Sequence, residues 1–206
     1  MTEPSIRRHA KRTDEEARVA FEVYALAVGK VVHAWNYLHE ALGQLLYYVT
    51  DPDDGRAALS KWYSIKDDRR QRAMLRAVVL RAPEDRWPPQ ALAATEDVIW
   101  LLDRADQLAD ERNDAIHAPV SMVTDCTGMV VHASIAAYVN GHPRARKLWG
   151  KRLVVEFERC EKVAGVLSSF AGEAVMALVN ERHPWPARPS LPLRVLEQEP
   201  LSIDGH

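Results

Sequence analysis

From Val28 onward the apolar residues of this chain recur at steps of three and four: Val28, Val31, Val32, Trp35, Leu38, Leu42, Leu45, Leu46 and Val49. That spacing puts them on one side of an α-helix and leaves the other side to water. Thr13 followed by Glu16 has the spacing of a capping box and predicts where this first helix starts. The turn-forming run from Asp51 to Gly55 predicts its end. A second, more charged helix is expected from about Arg56 to Leu80. Pro83, Pro88 and Pro89 interrupt the pattern, and Pro89 suits the first turn of a third helix. That helix carries Leu92, Val98, Ile99, Leu101, Leu102, Ala105, Leu108 and Ala109, and Pro119 closes it. A fourth long helix follows from Lys151 through Leu153, Val154, Phe157, Ala164, Leu167, Ala174, Val175 and Leu178.

The period changes only between the third and fourth of these. Residues 119–139 carry β-branched side chains on either side of Asp125, Cys126, Thr127 and Gly128, which predicts a small hairpin or extended insertion. The expected fold is therefore all-α: an antiparallel bundle of four to five helices with a short β-hairpin or extended insertion before the last long helix. Residues 1–12 are polar and basic without periodicity and are expected to be a flexible arm. Residues 13–182 form the bundle. Residues 183–206 hold five of the twelve prolines and are expected to be an extended tail.

Charge and cysteine usage narrow the functional classes. The formal net charge is −2, so nucleic-acid binding would need a local basic patch. The N-terminus lacks the apolar core of a signal peptide. Tyr24 to Leu38, read as the longest nearly apolar stretch, is interrupted by Lys30 and His33 and is too short for a bilayer. A cytoplasmic protein without membrane association is expected. Cys126 and Cys160 have no second pair for a zinc ribbon and are expected to be inert thiols.

Helical bundles often hold metals, yet no Glu is followed by His at the Glu-x-x-His spacing, and no H-E-x-x-H is present. His33 and His39 are six residues apart and point to different sides of a helix. No metal and no cofactor are expected. Phosphate loops and G-x-S-x-G are also absent.

What remains is the run Arg112, Asn113, Asp114, Ala115, Ile116, His117 at the end of the third long helix. Asn113 and His117 lie about 40° apart on a helix, so the amide can hold the imidazole. Arg112 lies about 140° from His117 and continues the stripe of Leu101, Ala105 and Leu108. A cation at the end of an apolar stripe is costly unless a partner or ligand meets it. Arg112 and His117 converge on one target only if the helix frays before Pro119 or a second copy supplies the other residue.

R-N-x-x-x-H near the end of a long helix in an all-α bundle resembles the R-x4-6-H motif of the HEPN superfamily. Arg112 to His117 is the only run in the chain at that spacing. The resemblance implies a helical bundle that pairs as a two-fold homodimer. It also implies a metal-independent endoribonuclease of toxin-antitoxin, abortive-infection or other defence systems. On that resemblance Arg112 and His117 are the catalytic pair, with Asn113 as the polar residue beside the Arg. RNA carries its own nucleophile, the 2′-hydroxyl, so such an enzyme needs proton transfer and positive charge on the phosphorane. Histidine suits the first and arginine the second. The products would be a 2′,3′-cyclic phosphate and a 5′-hydroxyl. Two readings stand for Asp114, orienting His117 or simply facing water, the latter being the plainer one. Glu40, on the first helix, is a supporting candidate that could pair with a motif cation. Pro119 stands where nucleotidyltransferase-partner members carry a Tyr, so AMP-modification of such a Tyr is not implied.

A second feature points to RNA. From Cys126 to Val155 there is no acidic residue, where composition would give about four. Arg144, Arg146, Lys147, Lys151 and Arg152 stand in this segment with Trp149 among them, a pattern that can track phosphates while a ring stacks on a base. The expected partners are RNA, a second copy and an antitoxin protein. The other reading is a non-catalytic HEPN-like interaction module that binds a protein or nucleotide partner.

Overall fold

The structure, a computed structural model, describes residues 4–50, 53–117, 120–124, 131–135, 147–148 and 151–192. These residues are mostly helical, as the periodicity requires. Five α-helices run Pro4–Val49 (α1), Gly55–Ser64 (α2), Asp68–Val79 (α3), Ala94–His117 (α4) and Leu153–Val179 (α5), with a 3-10 turn at Glu84–Arg86. Val120–Thr124 (β1) and Val131–Ile135 (β2) pair antiparallel, with Met122 opposite Ala133. The turn expected at Asp125 to Gly128 lies outside the described residues.

Three boundaries differ from the sequence expectation. α1 begins at Pro4, so residues 4–12, expected as an arm, are helical. Proline fits a helix's first turn, and the Ala, Lys and Arg that follow are good helix formers with no breaker among them. The single helix expected over residues 56–80 is two. Ile65 is extended, and the Asp67 carboxylate caps α3 by accepting from the backbone N–H of Arg69 at 2.9 Å and of Arg70 at 3.4 Å. The third long helix starts at Ala94, not near Pro89. Residues 88–94 instead make successive turns, with Ala91 N–H on Pro88 O and Ala94 N–H on Ala91 O. Leu92, expected in the core, is consequently 95% exposed.

The described residues fall into two compact units, to which α1, α4 and α5 each contribute. One lies within Met1–Val31 and Glu111–Cys160, the other within Val32–Asp110 and Glu161–Pro192. The second unit holds most of the core. Leu38, Leu42, Leu45 and Leu46 of α1, Trp62 of α2, Leu75 of α3, Leu101 and Leu102 of α4 and Leu167 of α5 are all sealed from solvent. Trp62 lies over Gly43, where a Cβ would come within 3.0 Å of the indole nitrogen. A side chain at 43 would require the ring to give by a few tenths of an ångström, so the glycine sets how closely α2 approaches α1.

Inside this unit sits a buried cation. Arg72, 3% exposed, donates from Nε to Asp106 at 2.7 Å and from Nη1 to His39 Nε2 at 3.1 Å. Its guanidinium lies 5.4 Å from the Trp35 ring, and the Trp35 indole N–H donates to Asp68 at 3.2 Å. Arginine has no acceptor, so His39 Nε2 must accept, and its Nδ1 carries the proton donated to Gln71 Oε1 at 3.1 Å. The network thus assigns one neutral tautomer to His39.

The second unit also binds the first part of the proline-rich segment. Residues 184–192 have no regular structure. They are nonetheless anchored: the Trp185 indole N–H donates to Asp97 at 2.9 Å and Arg188 Nε to the same carboxylate at 2.6 Å. Trp185 also packs edge-on against Trp87. Asp97 is 8% exposed, so these two donors are what allow a carboxylate to be buried there.

The stretch Tyr24 to Leu38 is not the most apolar one. α5 is long and apolar enough, by length and composition alone, to cross a bilayer, with a mean hydropathy of 1.5 over its best window. Within the chain Phe157, Leu167, Phe170 and Ala174 on this helix are buried.

Candidate functional site

The motif occupies the last turns of α4, in the first unit. The stripe that leads to it is buried as expected: Leu101 and Ala105 are 0% and Leu108 3% exposed. Arg112, next on that stripe, is half-buried and donates from Nη1 to the Asn113 carboxamide oxygen at 3.0 Å. Asn113 was expected to hold His117; the oxygen holds the neighbouring guanidinium instead. An arginine fork offers five donors where the imidazole offers one, and it lies on the adjacent residue.

α4 remains a regular helix through His117, its last residue, which is exposed. No fraying brings His117 round toward Arg112, so the two stay about 140° apart within one chain.

Asp114 departs from the solvated reading. Its side chain is 14% exposed and accepts from Lys147 Nζ at 2.6 Å. The pair joins the acid-free segment to the motif helix. Lys147 is itself 64% exposed, so this contact supplies little stability, on the order of 0–1 kcal/mol. Leu148 beside it is buried, which ties the same turn down by an apolar contact. Lys151 is half-buried and Arg152 exposed. Arg144, Arg146 and Trp149 lie outside the described residues.

Glu111, one residue before the motif, pairs with Arg159 of α5. Glu156 lies 3.5 Å from the same guanidinium nitrogen. Burial works to lower the pKa of Arg159, and the hydrogen bond and charge of Glu111 outweigh it, holding the guanidinium above its ordinary value. This ion pair fixes α4 to α5 directly beneath the motif. Tyr24 of α1 packs its ring edge-on to Phe157 at 5.6 Å, and burial pushes its phenol pKa up.

Glu40, the supporting candidate on α1, is exposed. It belongs to the second unit and accepts from the Tyr63 hydroxyl at 2.6 Å. That hydrogen bond, followed by burial and the carboxylate's charge, pushes the Tyr63 pKa up to about 12. The bond is present while Tyr63 stays protonated, so its contribution holds below the ordinary tyrosine value near 10 and fades as pH rises through about 12. In an absorbance titration Glu40→Gln is expected to move one tyrosine back toward 10. A titration curve identical to that of the parent protein would remove this assignment.

Sequence reasoning missed the Arg72 network and the Glu111–Arg159 pair. The signal for the first was available: Arg72 stands in register with Leu75 and Val79, a cation on an apolar stripe like Arg112. Asp103 and Asp106, three apart on α4, are the acids that meet Arg76 and Arg72. Among the described residues no group of three or more His, Cys, Asp and Glu is placed to hold a metal. Cys160 is buried, and Cys126 lies outside the described residues. A groove of about 660 Å³ in the second unit is lined by Trp100, Asp103, Arg104 and Arg188 among others. Asp103 and Arg188 there already bond to Arg76 and Asp97. Scans against protein-family models, curated proteins and solved structures each return no match for this chain.

Proposed function

We propose that this chain is a metal-independent endoribonuclease of the HEPN type, acting in a cytoplasmic toxin-antitoxin or phage-defence setting. Its helices form an antiparallel bundle in which residues 120–135 are a hairpin insertion, and two copies pair so that Arg112 of one and His117 of the other share a site. His117 moves the proton of the 2′-hydroxyl or of the leaving oxygen, and Arg112 neutralises the phosphorane. Asn113 holds the Arg112 fork toward the phosphate.

The observation that carries this reading is the Lys147–Asp114 contact, which sets one cation of the basic, acid-free segment against the helix turn that bears the motif. A cation at Asp114 and a proton-transfer group three residues further along α4 suit the cleavage of a polyanion. The exposure of His117 supports the same reading, since an RNA strand can reach it.

The test is cleavage of labelled single-stranded and structured RNAs by purified protein in EDTA, with product ends analysed. Cleavage that survives the chelator and leaves cyclic phosphate supports the proposal. An inert protein across the panel would favour the non-catalytic module. For binding, Lys147→Ala is expected to weaken RNA affinity similarly for all sequences and to lower the salt slope by about one. An unchanged slope would take Lys147 out of the RNA path.

A further inference from the structure

His39 is bonded through both ring nitrogens, and the two bonds demand opposite roles of them. Gln71 Nε2 donates to the Trp62 carbonyl at 3.0 Å, which turns the amide oxygen of Gln71 toward the ring. That oxygen lies 3.1 Å from His39 Nδ1, so Nδ1 carries a proton. On the other side Arg72 Nη1 stands 3.1 Å from Nε2, and a guanidinium can only donate, so Nε2 is bare. The chain of bonds from Arg72 through His39 and Gln71 to the Trp62 carbonyl therefore runs in one direction and links α3, α1 and α2. A neutral imidazole completes it, and a charged one breaks it.

A second proton on the ring has to go to Nε2. It removes the lone pair that accepts from Arg72 and sets an imidazolium against a guanidinium at hydrogen-bond distance. The rings of Trp35 and Trp62, with centroids 4.8 and 6.1 Å from that of His39, limit how far it can turn away. Carboxylates on the surrounding helices favour the charged ring, but each is bound to another group. Asp106 of α4 accepts from Arg72 Nε, Asp68 of α3 from the Trp35 indole and Glu40 of α1 from Tyr63. Arg72 is 3% exposed and cannot retreat into water without giving up its bond to Asp106.

We propose that His39 is a proton-sensitive latch of the second unit, engaged while the ring is neutral and released when mild acid protonates Nε2. The unfolded chain takes up this proton near the ordinary histidine value of about 6.5, and the folded chain does so at lower pH. The latch's contribution to stability is therefore full above about 6.5 and is lost as pH falls below it, ahead of the range in which carboxylates titrate. The latch is independent of the proposed function: a protein that cleaves no RNA would keep it.

The test is urea unfolding of the full chain between about pH 7.5 and about pH 5, in parallel with His39→Gln. A glutamine side chain offers one acceptor and one donor but does not titrate. Over this range the folding equilibrium constant of the parent should fall at least about tenfold more than that of the variant. Nitrogen-edited proton spectra of the histidine rings read the latch in the parent protein alone, and decide the matter should the variant fail to fold. They should show His39 protonated at Nδ1 and bare at Nε2 near neutral pH, with a titration midpoint below about 6.5. Equal falls in the two proteins, a ring protonated at Nε2 near neutral pH, or a midpoint at or above about 6.5 would each overturn the proposal.

Discussion

Replacing His117 by alanine is expected to lower RNA cleavage by at least about 100-fold, the minimum usually lost with a positioned general acid or base. The fold should not change, because the residue is exposed at the last position of α4. Arg112→Ala should also abolish most activity, through loss of charge on the phosphorane. Combining the two variants is the sharper experiment. α4 stays helical through His117, and the proposed site takes its arginine and histidine from different copies. Chains carrying Arg112→Ala co-expressed with chains carrying His117→Ala should then regain activity, since each mixed dimer holds one intact arginine–histidine pair. Sites contained in single chains would stay dead in the mixture. Full cleavage by the His117→Ala protein would end the assignment of that residue.

Arg72→Ala is expected to cost about 3–4 kcal/mol of stability in urea unfolding, the range for breaking a buried charged network and leaving a cavity. The side chain is 3% exposed and is held by Asp106, His39 and the Trp35 face together. Asp106 and Asp68 are partly exposed at 43% and 34%, so both can recover water when the arginine is removed. Packing and the fork of hydrogen bonds therefore account for more of the loss than stranded charge does. Arg72→Met keeps most of the volume and should lose about half as much. Arg72→Lys keeps the charge but cannot reach Asp106 and His39 with one planar fork, so it should not rescue the protein. A loss below about 0.5 kcal/mol for Arg72→Ala would show the network to be dispensable.

The helices were legible because their signal is local. An apolar residue every three or four positions is unfavourable as anything but a helix with one buried face, and Trp35, Leu38, Leu42, Leu45 and Leu46 are buried as their spacing required. Where a short-range capping event competed with that period, the reading failed. The Asp67 carboxylate that caps α3 splits one expected helix into two, and the turns after Pro88 leave Leu92 outside the core. At the motif, the sequence alone supplied the residue types and their angular positions on α4. Which atoms meet was decided in three dimensions. Asn113 turned to Arg112, Asp114 to Lys147 and Glu40 to Tyr63. Two of these pairs bridge 33 and 23 residues of sequence, and no periodicity encodes a partner at that distance. Arg72 makes the same point most sharply. Its place on an apolar stripe was written in the sequence, but the acid and the histidine that make its burial tolerable come from other helices. Electrostatic compensation depends on distance in space, and only the folded chain sets that distance.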